Sequence, residues 1–213
     1  MNNVEDIDDG STLDPRSAAT IVNETRSRAT RELAVSGPLL FAGGGLVVLL
    51  GYGAIWLSVR DQHPYDGPSG LAIATLLVLV VAAAIVTGSV VDRATHGVAG
   101  QSVLRRRIGF SAIGIAYAGL LVLEAALVHA GASHAVAYGV FAAATPILAT
   151  GGIYIANSAT TLDWPLFGLG ICLITIAAAG SFTGPRTVWL IGALAGGLGF
   201  WIKAVVQLAL QRT

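Results

Sequence analysis

Residues 71–91 read LAIATLLVLVVAAAIVTGSVV, with Pro68-Ser69-Gly70 before them and Asp92-Arg93 after. The stretch holds no charged residue. At about 1.5 Å per residue, a helix of this length covers the ~30 Å hydrocarbon core of a bilayer. A membrane strand needs only about ten residues, and outside a closed barrel its backbone would go unpaired in lipid. The stretch is therefore read as a transmembrane helix. Five others of the same character follow the same reading: 34–59, 109–130, 134–156, 164–182 and 188–210. The fold class expected is all-α and polytopic, a bundle of six transmembrane helices over 34–210.

Composition agrees. Of the 213 residues, 54% are hydrophobic and 11% are charged, against about 25% charged in a soluble domain. The formal net charge is zero, so nothing points to a nucleic-acid partner. The single cysteine, Cys172, excludes an intrachain disulfide and any CxxC metal site, and its apolar setting predicts a small buried side chain.

Ahead of the first span, residues 1–13 are acidic and polar and are expected to be disordered. No basic stretch leads into a short apolar one there, so no cleavable signal peptide is expected. Asp14-Pro15 is a helix-start signal. Residues 14–33 then read as an amphipathic helix at the cytoplasmic membrane surface, with Glu24 and Arg28 spaced i,i+4. A solvated extension of the first span is an equal alternative.

Orientation follows from the basic residues. An even number of spans puts both termini on one side. That side collects Arg16, Arg26, Arg28, Arg31, Arg93, Arg105, Arg106, Arg107, Lys203 and Arg212. The other holds Arg60 and Arg186. The bias predicts cytoplasmic termini in the plasma (inner) membrane. Trp56 and Trp189 then fall near the outer interface, and Trp164 and Trp201 near the inner one.

Glycines recur at helical spacing: Gly37, Gly44 and Gly51 in the first span, and Gly192, Gly196 and Gly199 in the sixth. Small residues let helix backbones approach where lipid offers no hydrophobic driving force. Such faces serve packing within one chain, homo- or hetero-oligomerisation, or a sliding interface. Pro146 sits mid-span in the fourth helix and predicts a kink.

Few ionisable residues enter the spans. Glu124 is the one acid well inside, about 9 Å below the outer end of its helix, and Tyr117 shares its face. An unpaired carboxylate there costs on the order of 3 kcal/mol. Lys203 lies at the other end of the membrane, roughly 10 Å or more away along the normal, so it is not expected to pair with Glu124. Snorkelling to the inner headgroups is expected of it, beside a headgroup-binding cluster of Arg105, Arg106 and Arg107. The outer side gathers Asp61, His63, Asp66, His129 and His134, a group suited to a cation or pH sensor, though no metal pattern is matched.

No G-x-S-x-G elbow, Walker A loop or H-E-x-x-H motif is present, so no catalytic residue, metal or cofactor is assigned. Asp14-Pro15-Arg16 with the Arg-rich segment after it, and Arg105-Arg106-Arg107-Ile108-Gly109 before the third span, resemble small uncharacterised actinobacterial multi-pass membrane proteins with a DPR-type N-terminal helix. That resemblance implies a class and no site. The expected function is a non-enzymatic subunit or accessory component of a membrane assembly. The alternatives are a small transporter or channel using Glu124, Tyr117 and Pro146, and the outer-face sensor.

Overall fold

The computed structural model describes residues 15–94 and 101–211. The side chains of 15–19, 21–36, 94, 101–107 and 110 fall outside that description, as does the acidic segment 1–13. The described chain is helical throughout, joined by short turns. α1 is Pro15–Val59, α2 is Gly70–Ala94, α3 is Gln101–His129 and α5 is Trp164–Ser181. α4 spans Ala135–Thr161, opening with a π-helical turn over Ala135–Phe141, and α6 spans Thr187–Leu210 with a π-helical turn over Gly192–Gly196. Each contains a segment long and apolar enough to cross a membrane, six in all.

Two helices run past the bounds of their spans. α1 runs without a break through the Arg-rich segment into the first span. Its 45 residues make about 68 Å of helix, twice the hydrocarbon thickness, as suits an extension that projects beyond the span. α3 begins at Gln101, so Arg105, Arg106 and Arg107 belong to its first turns and not to a loop.

Four helices make the core. α1, α4, α5 and α6 bury Tyr52, Ile55, Ile147, Leu173, Val188 and Trp189 between them. Close approach depends on missing side chains. A Cβ on Gly45 would stand 2.9 Å from the carbonyl oxygen of Gly197, and one on Gly197 would stand 3.2 Å from that of Gly45, so α1 and α6 meet backbone to backbone. α4 and α5 do the same at Gly151 and Gly170. The six glycines singled out from the sequence also lie against other helices. Gly37 packs on Gln207, Gly44 on Phe200, Gly51 on Leu76, Gly192 on Tyr52 and Ile147, Gly196 on Val48, and Gly199 on Leu169.

The other two helices are peripheral. α2 packs mainly on α1, and α3 rests on the first turns of α4. None of the hydrophobic window of α3 is buried, and 6% of that of α2, against 56% in α6. Cys172 is exposed and not buried as its setting suggested, because the inward stripe of α5 runs through Leu166, Leu169, Leu173 and Ala177 and passes it by.

Candidate functional site

Polar side chains gather at two levels of the bundle. The first group forms at the α4–α5 turn. α4 ends on Leu162, whose φ of 54° is a left-handed conformation that glycine usually supplies. The reversal places Asp163 at the N-cap of α5, where its Oδ1 accepts from the Leu166 amide at 2.9 Å. The same carboxylate accepts two hydrogen bonds from the Lys203 ammonium of α6, at 2.9 and 2.8 Å. Lys203 Nζ also sits 5.4 Å from the Phe41 ring centroid, and Phe41 packs ring to ring with Tyr154 and Phe200.

Lys203 therefore does not snorkel. Its residue is 4% exposed and its charge is met inside the bundle. The reason is the face it occupies. Lys203 lies one turn beyond Gly199 on the stripe that α6 turns inward, so its stem leads into the bundle. One further turn on, Gln207 packs on Gly37, and its Oε1 is buried with no hydrogen-bond partner among the described residues. An ion pair so enclosed ties the α4–α5 turn to α6.

The second group is built around tyrosines. Tyr52 of α1 donates to the Ala143 carbonyl at 3.1 Å, in the turn that Pro146 disturbs. Tyr65, in the α1–α2 loop, donates to the Tyr138 carbonyl at 2.9 Å. Gln62 shapes that loop. Its amide donates to the carbonyls of Ser58 and Gly67, and its oxygen accepts from the amides of Asp66 and Gly67. Trp189 is turned into the core beside Tyr52, ring centroids 5.0 Å apart, and is no lipid-interface anchor. Its indole N–H is buried beside the Tyr65 hydroxyl. Burial raises the Tyr65 hydroxyl above the usual phenol range; the nearby Trp189 N–H opposes that rise and the Glu124 carboxylate adds to it.

The three residues assigned to a path are partly brought together. The Tyr117 hydroxyl donates to the Pro146 carbonyl at 3.3 Å and also meets the Thr150 hydroxyl. Glu124 lies on the same packed stripe of α3, but among the described residues no hydrogen bond or ion pair reaches its carboxylate. The outer titratable groups pair off instead of converging. Asp61 pairs with Arg60 at 3.0 Å, and Asp66 faces His134 at 3.4 Å. Both ring nitrogens of His63 lie 2.9 Å from Arg186, and a neutral imidazole can accept from only one. His129 is exposed at the end of α3. Among the described residues no three His, Cys, Asp or Glu side chains form a group able to hold a metal. The headgroup assignment of Arg105, Arg106 and Arg107 rests on side chains outside the described residues.

Sequence reading missed Asp163, Tyr52, Tyr65 and Thr150. Asp163 had a usable signal, an N-cap residue one position ahead of Trp164-Pro165. The tyrosines had none, because their partners are backbone carbonyls 73 and 91 positions away. Comparison with protein-family models, with curated proteins and with solved structures finds no match to this chain.

Proposed function

We propose that the chain is a non-enzymatic subunit or accessory component of a plasma-membrane assembly, with both termini in the cytoplasm. The uneven packing of the helices carries this reading. Four helices bury one another, while the hydrophobic window of α3 buries nothing and that of α2 almost nothing. Ile115, Leu121 and Val122 of α3 stand 66–73% exposed, a face ready for another chain as well as for lipid. The glycine stripes support assembly less, since each meets a neighbour within the same chain. The layout also fits the small actinobacterial multi-pass proteins that the sequence resembles.

Extraction in mild detergent, with mass read by light scattering, should give a particle larger than one 21.7 kDa chain. Val122→Trp, on the outward face of α3, should return it to a single chain. A wild-type particle of one chain with no stoichiometric companion would sink the proposal.

The orientation rests on ten basic residues against two. A fluorescent protein fused after Arg212 should fluoresce, and alkaline phosphatase fused after Asp66 should be active. The opposite pattern reverses the topology.

A further inference from the structure

We propose that the α1–α2 loop is a pH-driven toggle. While His63 is neutral, the loop is tied to the α5–α6 turn through Arg186. Once the histidines are protonated, it lets go there and is drawn to the α3–α4 turn through Asp66 and His134.

Three contacts tie this loop across the end of the bundle. His63 meets Arg186 on the α5–α6 turn, each ring nitrogen 2.9 Å from a guanidinium nitrogen. Asp66 meets His134 of the α3–α4 turn at 3.4 Å. Between the two, the Tyr65 hydroxyl donates to the Tyr138 carbonyl at 2.9 Å, a bond in which no imidazole takes part. The loop holds its own shape. Gln62 binds the carbonyls of Ser58 and Gly67 and the amides of Asp66 and Gly67, and the Ser69 amide donates to Ser58 Oγ at 3.3 Å. The α5–α6 turn is fixed by packing, since Pro185 fills the space beside Gly139 of α4, and Val188 and Trp189 just after it are buried. The loop is therefore the part able to tilt, with Tyr65 as its pivot.

One proton acts on the two histidines in opposite ways. A neutral imidazole has one lone pair and can accept one N–H of Arg186; a protonated imidazole has none. Protonating His63 sets N–H groups against N–H groups, with two like charges at hydrogen-bond distance. His134 gains from the same change. Its contact with Asp66 is loose at 3.4 Å, and a charge-assisted pair closes to about 2.7–2.9 Å. Both histidines are exposed, so protons reach them directly.

The neighbouring charges leave these signs in place. Arg60 and Asp61, on the loop itself, are paired with each other at 3.0 Å. His129, at the end of α3, is exposed and brings charge of the same sign as His134. Glu124 of α3 has no hydrogen bond or ion pair with either histidine. On the orientation proposed above, this end of the bundle meets the external medium. The toggle itself does not depend on that orientation.

The test is spin-label distance measurement on the full chain in lipid nanodiscs, where both faces meet the buffer. Cys172, which is exposed, is first replaced by serine. Labels at Asp61→Cys and Phe182→Cys span the loop and the α5–α6 turn. Labels at Asp61→Cys and Ser133→Cys span the loop and the α3–α4 turn. From about pH 8 to about pH 5, the range in which imidazole changes charge, the first distance should lengthen and the second should shorten. The tethered population of the first pair should fall about threefold, the size an exposed charge pair supports. His63→Gln keeps an acceptor for Arg186 without a titrating group, and should hold the first distance unchanged with pH. Asp66→Asn should abolish the shortening of the second. His129→Gln should respond as the labelled parent. Gel filtration and circular dichroism of each variant separate a lost response from lost folding. Distances that stay fixed with pH in the labelled parent overturn the proposal. So does a folded His63→Gln protein that responds as the parent does, or a His129→Gln protein that loses the response.

Discussion

Replacing Asp163 with alanine is expected to destabilise the protein by about 3–5 kcal/mol, the cost of leaving a buried charge without its partner. The Lys203 side chain is 3% exposed, so its ammonium has no water to turn to once the carboxylate is gone. The N-cap of α5 is lost with it, adding about 1 kcal/mol. Lys203→Met should cost less. The Asp163 side chain is 34% exposed and can hydrate, and it still caps α5. The double variant should then be more stable than Asp163→Ala alone, because it removes the unpaired ammonium. Denaturant titration in detergent, followed by circular dichroism, reads all three. An Asp163→Ala protein as stable as wild type would show that Lys203 finds water or headgroups after all.

The second large effect is expected where α4 and α5 cross. A Cβ on Gly151 would lie 2.8 Å from the Gly170 carbonyl oxygen and 2.8 Å from Ile174 Cγ1. On Gly170 it would lie 2.8 Å from the Gly151 carbonyl oxygen. The obstacle in both cases includes backbone, which cannot rotate aside, so the helices must part. Gly151→Val is expected to cost about 3 kcal/mol, the upper end of the overpacking range. Gly152, one residue along, meets nothing within 4 Å. Gly152→Ala should be neutral or stabilising, since alanine is the better helix former by roughly 1 kcal/mol. Thermal unfolding of the two variants side by side checks this. Equal melting temperatures would mean that α4 and α5 are not in backbone contact.

These two sites differ in how far they could be read in advance. By spacing alone Lys203 falls on the stripe of Gly192, Gly196 and Gly199, and that stripe is the inward face of α6. The inference to burial was available, but the general tendency of lysine near a span end to snorkel outweighed it. What spacing could not supply was Asp163, forty positions earlier, brought level with Lys203 by the left-handed turn at Leu162. Gly151 and Gly170 carry no such signal, because neither belongs to a regular small-residue repeat. Their importance is pairwise and appears only when α4 and α5 are set side by side. The outer side shows the reverse. Asp61, His63, Asp66 and His134 share one end of the bundle, yet they split into separate pairs, Asp61 with Arg60, Asp66 with His134 and His63 with Arg186.

Six helical segments, their lengths and the asymmetry of their flanking charges were determined by the sequence by itself. Hydrophobic length and basic-residue counts are local properties, and the bilayer reads them one segment at a time. Which helices bury one another, the pairing of Lys203 with Asp163, and the isolation of Glu124 were decided only by the tertiary structure. Each depends on how helices are rotated and staggered against one another. Contacts between residues far apart in the chain set that rotation, and no single segment contains it.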